Sequence, residues 1–180
     1  MFRVFVALSL PEVVADSLTP MQFGLDGARW RGPDQFHITL QFIGSVNKHG
    51  LDDVANALDG VTGAALKLTL SGCDFFGDKR PHSVWAGVAK SEGLLLLQAK
   101  IENRLRQFGV SVENRKFIPH VTLAYLRGTS QAETATYCAR HNLYSCGPFP
   151  VNAFHLYQSH LGNEASHYEL LETYPLSFSR

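Results

Sequence analysis

Two short segments of this chain carry side chains that could move protons around a phosphorus centre. His37-Ile38-Thr39-Leu40-Gln41-Phe42-Ile43 lies over His120-Val121-Thr122-Leu123-Ala124-Tyr125-Leu126 with the same class of side chain at six of seven places, and glycine comes after each, at Gly44 and Gly128. With 8 His and 9 Thr in 180 residues, a His-x-Thr triplet is expected about 0.4 times by chance, and about 0.08 times once apolar residues must come after both. Two matched copies therefore point to an old internal duplication.

The chemistry comes from strand geometry. Residues two apart on a strand share a face, so His37 and Thr39 point one way while Ile38 and Leu40 enter the core, and His120 and Thr122 repeat the arrangement. Two such strands related by a local twofold axis give a floor of two imidazoles and two hydroxyls. A phosphodiester displacement needs a base for the attacking oxygen, an acid for the leaving oxygen and donors for the charged equatorial oxygens. Histidine serves in either proton role near neutral pH, and threonine donates without adding charge. The scheme requires neither metal nor cofactor.

The rest of the composition narrows the field. The chain is 45% hydrophobic and 18% charged, with 16 Lys+Arg against 16 Asp+Glu, enough for one domain or two lobes sharing a core. No segment reaches the roughly 18 apolar residues that span a bilayer. A formal charge of zero argues against coating long nucleic acid, which relies on excess Lys and Arg, while recognition of one strand end stays open. Cys73, Cys138 and Cys146 form no Cys-x-x-Cys pair and suggest reduced thiols in a cytoplasmic protein. Met1 to Leu10 has a single basic residue, is interrupted by Ser9 and is stopped by Pro11, so a first strand is preferred to a secretory signal.

Other segments must position the two motifs. Phe2 to Leu10 is a strand, and Pro11 opens a helix carrying Val13, Val14 and Leu18. Pro20, Gly24, Gly27 and Gly32 make the stretch before Trp30 a loop or broken helix. Phe36 to Gly44 is a strand ended by glycine, and after it come a helix between Asn47 and Gly60 and a strand at Leu66 to Leu70. Beyond the turn-rich Gly77 to Pro81 lies a strand at Val84 to Ala89. Glu92 to Phe108 is a helix capped by Ser91 and closed by Gly109. A strand at Val110 to Val112, the stretch Phe117 to Leu126, a helix from Ser130 to Asn142 and two strands near Val151 to Ser159 and Tyr168 to Phe178 complete the chain. The mixture lacks a strict strand–helix–strand rhythm, so the expectation is α+β, antiparallel sheets with helices packed on them, and no linker composition divides it.

On these residues the chain resembles the two-histidine phosphoesterase superfamily, most closely its bacterial RNA 2',3'-cyclic phosphodiesterases, also named 2'-5' RNA ligases. The resemblance extends to Phe2–Pro11, the middle strand Val84–Val88, Arg115, Phe117 and Pro119 ahead of the second motif, and Leu156–Ser159 with Tyr168. It implies residues 1–180 as a single bilobal domain, two antiparallel sheets related by a pseudo-twofold axis with helices outside and a central cleft. It also implies hydrolysis of a terminal 2',3'-cyclic phosphate on RNA ends or nucleotides to a 2'-phosphate, or the reverse 2'-5' joining, by a monomer without membrane attachment. By that resemblance His37 is the acid protonating the departing O3', His120 the base activating water, and Thr39 and Thr122 hold the phosphate oxygens. Residue chemistry alone leaves the acid and base unassigned.

One position departs from the resemblance. Relatives often carry Arg three residues after the second Thr, where this chain has Tyr125; Arg127 would face the same side if the strand continued that far. Arg115, Lys116, Lys79 and Arg80 are further candidates for RNA phosphates. Phe42 and Tyr125 are assigned to the motif face, to stack on a base or to wall the cleft. Competing readings are a sister phosphodiesterase acting on 2'-5' oligonucleotides, a non-catalytic RNA-end or nucleotide-binding module, and a structural adaptor with both histidines hydrogen-bonded away from a cleft. His155 and His160 are read as structural. His141 with Cys138 and Cys146 lacks a fourth ligand for zinc.

Overall fold

The computed structural model describes residues 1–113, 115–162 and 166–177. Strand β1 (Phe2–Ser9) is buried on both faces from Val4 to Leu8, as its unbroken apolar run requires. It is central in a four-stranded antiparallel sheet with β3 (His37–Val46), β8 (Ala153–His160) and β9 (His167–Pro175), in the order β3-β1-β8-β9. The second sheet has β2 (Ala28–Trp30), β6 (His120–Leu126), β5 (Ser83–Val88), β4 (Leu66–Phe76) and β7 (Ser145–Val151), in the order β2-β6-β5-β4-β7. Setting aside β2, the two orders superimpose, β3-β1-β8-β9 upon β6-β5-β4-β7, so each His-x-Thr strand holds the equivalent place in its own half. Phe178, at the expected end of the last strand, lies outside the described residues.

Helices cover the outer faces. α1 (Glu12–Leu18) and α4 (Gln131–Arg140) pack on β7 and β4, while α2 (Lys48–Asp59) and α3 (Glu92–Gln107) pack on each other and on β3. Their starts are written in the sequence: the side chains of Asn47, Ser91 and Ser130 accept the backbone N–H of Gly50, Leu94 and Glu133, each cap contributing about 1 kcal/mol. One contiguous core runs through both sheets, from Val6, Leu8 and Ile38 to Leu70, Val121 and Leu123, so the lobes share an interior.

Several expectations need correction. Val110–Val112 forms no strand; it runs beyond α3 without a ladder partner among the described residues. β3 does not end at Gly44 but continues to Val46, because Gly44 takes φ +89° beside a register shift opposite Val4 and Phe5, a glycine-bearing bulge rather than a stop. Two strands are missing from the sequence reading: the three-residue β2 in the glycine-rich loop, and β7, whose Pro148 and Pro150 are tolerated because it is an edge strand. Val13 is exposed while Val14 and Leu18 are buried.

Candidate active site

The two motifs are built alike down to their irregularities. Ala7 faces Thr39 and Val6 faces Gln41, leaving Leu40 as an extra residue in β3; Trp85 faces Thr122 and Val84 faces Ala124, leaving Leu123 extra in β6. Each bulge comes directly after its threonine. Leu40 and Gln41 are both buried, as are Leu123 and Ala124, so alternation is reset after the bulge. Phe42 and Tyr125 lie five residues beyond their histidines, and strict alternation would turn them into the core. The bulges turn them out instead, 50% and 49% exposed. They stand on the motif face for a reason that alternation does not supply.

The imidazoles are held identically. His37 Nδ1 lies 2.8 Å from the carbonyl oxygen of Gln35, and His120 Nδ1 lies 2.7 Å from that of Ile118. A carbonyl only accepts, so each Nδ1 carries the proton and each Nε2 is left to exchange protons with a ligand. Aromatic rings fix the ring planes: Phe5 and Tyr168 each lie 5.0 Å from His37, and Phe76 and Trp85 lie 4.9 and 5.5 Å from His120. The indole N–H of Trp85 is buried without a hydrogen-bond partner among the described residues.

Burial shifts both histidines toward the neutral form. Desolvation drives His37 down to about 4, with smaller pushes from Arg31 and from His120, against the opposing hydrogen bond to Gln35. Desolvation lowers His120 as well, opposed by its bond to Ile118. The repulsion between the two imidazoles reflects their proximity, and β3 and β6 touch across the gap between the sheets.

A cavity of about 490 Å³ opens beside them, lined by Thr39 and Phe42 of β3, by Phe76 and His82, by Arg115 and Lys116, and by His120. The structure thus gathers Thr39, Phe42, Arg115 and His120 around one cavity. His37 and Tyr125 belong to a second cluster at its side, where Arg31 links Tyr125 to Tyr168. Thr122 is half-buried on β6 opposite Trp85. Arg127 does not join either group: β6 ends at Leu126, and Arg127 is exposed with its backbone N–H bonded to Gly27. Lys79 and Arg80 are exposed in the turn after β4. Arg31 was not among the sequence candidates, because the two tyrosines that mark it out come from distant parts of the chain.

Other histidines are engaged elsewhere: His155 bonds to Ser9 and Thr173, and His160 to Glu169 at 2.7 Å. Among the described residues no group of three His, Cys, Asp or Glu is placed to hold a metal ion. The three cysteines are free, with Cys73 Sγ 3.6 Å from Cys138 Sγ. No described helix is long and apolar enough to cross a membrane.

Two sheets related by an approximate twofold, each presenting a His-x-Thr strand to one cleft, define a two-histidine phosphoesterase fold. The family model of the 2'-5' RNA ligase superfamily matches residues 10–163, and the chain belongs to that family. A relative from Aeropyrum pernix named RNA 2',3'-cyclic phosphodiesterase is 30% identical over 141 residues, 77% of this chain and 80% of its own. One of the same name from Archaeoglobus fulgidus is 26% identical over 176 residues, 96% of this chain and 99% of its own. Among solved structures, Escherichia coli LigT complexed with 3'-AMP is 25% identical and superposes with a TM-score of 0.79, covering 97% of this chain and 98% of that one. A Thermus thermophilus protein at 23% identity gives a TM-score of 0.81 over 99% of this chain and 100% of that one.

Proposed function

We propose that this chain is an RNA 2',3'-cyclic phosphodiesterase, hydrolysing a terminal cyclic phosphate to the 2'-phosphate. The observation that carries the reading is the matched pair of imidazoles, each with Nδ1 tied to a backbone carbonyl and Nε2 without a hydrogen-bond partner among the described residues. In this reading His120 takes a proton from water as the water oxygen attacks phosphorus. The bond from phosphorus to O3' breaks, and His37 delivers a proton to O3'. Thr39 and Thr122 donate to the non-bridging oxygens, and Phe42 and Arg115 flank the nucleotide in the cavity. Joining through a 2'-5' linkage is the same displacement with a 5'-hydroxyl in place of water, the bond from phosphorus to O3' again breaking.

Both rings are neutral in the free protein at pH 7, because burial has lowered them. Arrival of a phosphate anion raises a neighbouring histidine, so the substrate itself charges the acid. One chain supplies both histidines, which suits a monomer acting as a single bilobal unit, and three free thiols suit the reducing cytoplasm.

The deciding experiment incubates a nucleoside 2',3'-cyclic phosphate with the protein in EDTA and identifies the product. Conversion to the 2'-phosphate with a bell-shaped pH profile is expected, and His37→Ala or His120→Ala should lose at least about 100-fold in rate. Full activity in either variant would refute the two-proton scheme.

A further inference from the structure

The guanidinium of Arg31 is held by aromatic rings from both sheets. Its backbone N–H extends the β2–β6 ladder to the carbonyl of Leu123 at 2.9 Å, and its own carbonyl is held by the Gln22 side chain at 2.6 Å, so the backbone cannot drift. The guanidinium carbon lies 5.4 Å from the ring centre of Tyr125 on β6 and 5.9 Å from that of Tyr168 on β9. Nη2 donates to the Tyr168 hydroxyl at 3.1 Å. The Tyr168 ring in turn packs edge-on against His37 with centres 5.0 Å apart.

This is an unneutralised charge in a partly buried place. Among the described residues no carboxylate lies within 4 Å of Arg31, whereas Arg115, on the other side of the site, already has Glu113 at 3.6 Å. Two tyrosine faces stabilise a guanidinium without cancelling its charge. They also leave most of its five donors free, in a planar fork that matches phosphate oxygens. Tyr168 remains a phenol because burial pushes it up, so its hydroxyl accepts from Arg31 and still has a proton to donate.

We propose that Arg31, clamped between Tyr125 and Tyr168, is the cation that binds the non-bridging oxygens of the cyclic phosphate on the His37 side of the cleft. The threonines bring hydroxyl donors but no charge, and a phosphate anion entering a cleft of neutral imidazoles needs a cation to offset its desolvation. A cation directly after β2 also explains how Tyr125 can occupy its position on β6: the tyrosine is the shelf on which that charge rests. The inference deepens the cyclic phosphodiesterase reading and rests on it for the identity of the ligand. It also couples substrate to the acid, since the free guanidinium disfavours protonation of His37 and the bound phosphate would cancel that push.

Binding and turnover test it separately. In the unaltered protein, the Arg31 Nε–H resonance should move when inorganic phosphate or a nucleoside 2'-monophosphate is added, and stay in place with the unphosphorylated nucleoside. Arg31→Met should weaken calorimetric binding of the 2'-monophosphate about 10- to 100-fold, with Arg31→Lys intermediate. It should lower kcat/KM by a similar factor on a mononucleoside cyclic phosphate and on a dinucleotide ending in one. His37 should titrate higher by NMR in Arg31→Met than in the unaltered protein and stay near its original value in Arg31→Lys, which keeps the charge; an equal rise in both variants would mean that packing, not charge, is what was lost. Unchanged affinity and an unmoved Arg31 resonance would overturn the assignment. So would a loss confined to the dinucleotide, which would place the guanidinium on the preceding phosphodiester. If the protein binds the 2'-monophosphate through Arg31 yet turns over no cyclic phosphate, the catalytic reading fails while the anion site stands.

Discussion

Leu40 and Leu123 are the same residue in two halves of one molecule: each comes directly after a motif threonine, and each is the unmatched residue of a bulge against the neighbouring strand. A bulge re-aims the side chains beyond it, and here it turns Phe42 and Tyr125 toward the site and puts Gln41 and Ala124 into the interior. The duplication has therefore preserved an irregularity along with the chemistry.

Phe42 then has a definite expected role. It lines the cavity beside His120 with an exposed ring, and stacking of a base on an aromatic side chain is worth about 1–3 kcal/mol. Phe42→Ala should raise KM for a nucleoside cyclic phosphate about 5- to 150-fold with kcat within about threefold. Steady-state kinetics decides, and an unchanged KM would make the ring a wall only.

The pseudo-symmetry makes the acid and base look alike, so their assignment needs a substrate that breaks it. Replacing the bridging O3' by sulfur gives a leaving thiolate that departs without a proton. His37→Ala should lose at least about 100-fold on the oxygen substrate but under about 10-fold on the 3'-thio one, while His120→Ala loses on both. Measured rates showing the opposite pattern would exchange the two roles.

The stability of the protein should also report on His37. In the unfolded chain this imidazole titrates near 6.5, and in the folded protein near 4. Between those values the unfolded state holds a proton that the native state lacks, so stability rises with pH through this window and falls on acidification from 6.5 toward 4. Arg31, and His120 once it is protonated, act on the charge of His37, and the Tyr168 ring packs on it. Urea unfolding at pH 7.5 and 4.5 should show the unaltered protein losing about 2 kcal/mol more than His37→Gln. Equal losses would mean that the ring is solvated when folded.

Much of the fold and of the site is legible in the sequence, and the reason differs by element. The caps of α2, α3 and α4 are local hydrogen bonds, so Asn47, Ser91 and Ser130 can be read directly. The two histidines are legible because duplication repeats a pattern that chance does not. β7 is hidden because Pro148 and Pro150 argue against a strand until its edge position is known, and Val110–Val112 has strand composition without a partner to pair with among the described residues. Arg31 is hidden for a related reason. What distinguishes it from the other arginines is the meeting of Tyr125 and Tyr168 around it, a relation between residues far apart in the chain.

The glycine that anchors β2 gives a last prediction, linking backbone geometry to the site. Gly27 adopts φ +77°, where L side chains are strained, and an added Cβ would collide with the backbone carbonyl oxygen of Arg127. That carbonyl cannot move aside freely, because Arg127 donates its N–H to Gly27 and the adjoining Thr129 hydroxyl donates to the Asp26 carbonyl at 2.6 Å. Gly27→Ala should therefore lower stability by about 2 kcal/mol or more and loosen β2 from β6. Because β2 leads directly into Arg31, the same variant should weaken binding of a nucleoside 2'-monophosphate even at temperatures where the protein stays folded. Denaturant unfolding together with calorimetric titration checks both effects, and a variant with full stability would show that this turn does not hold the strand.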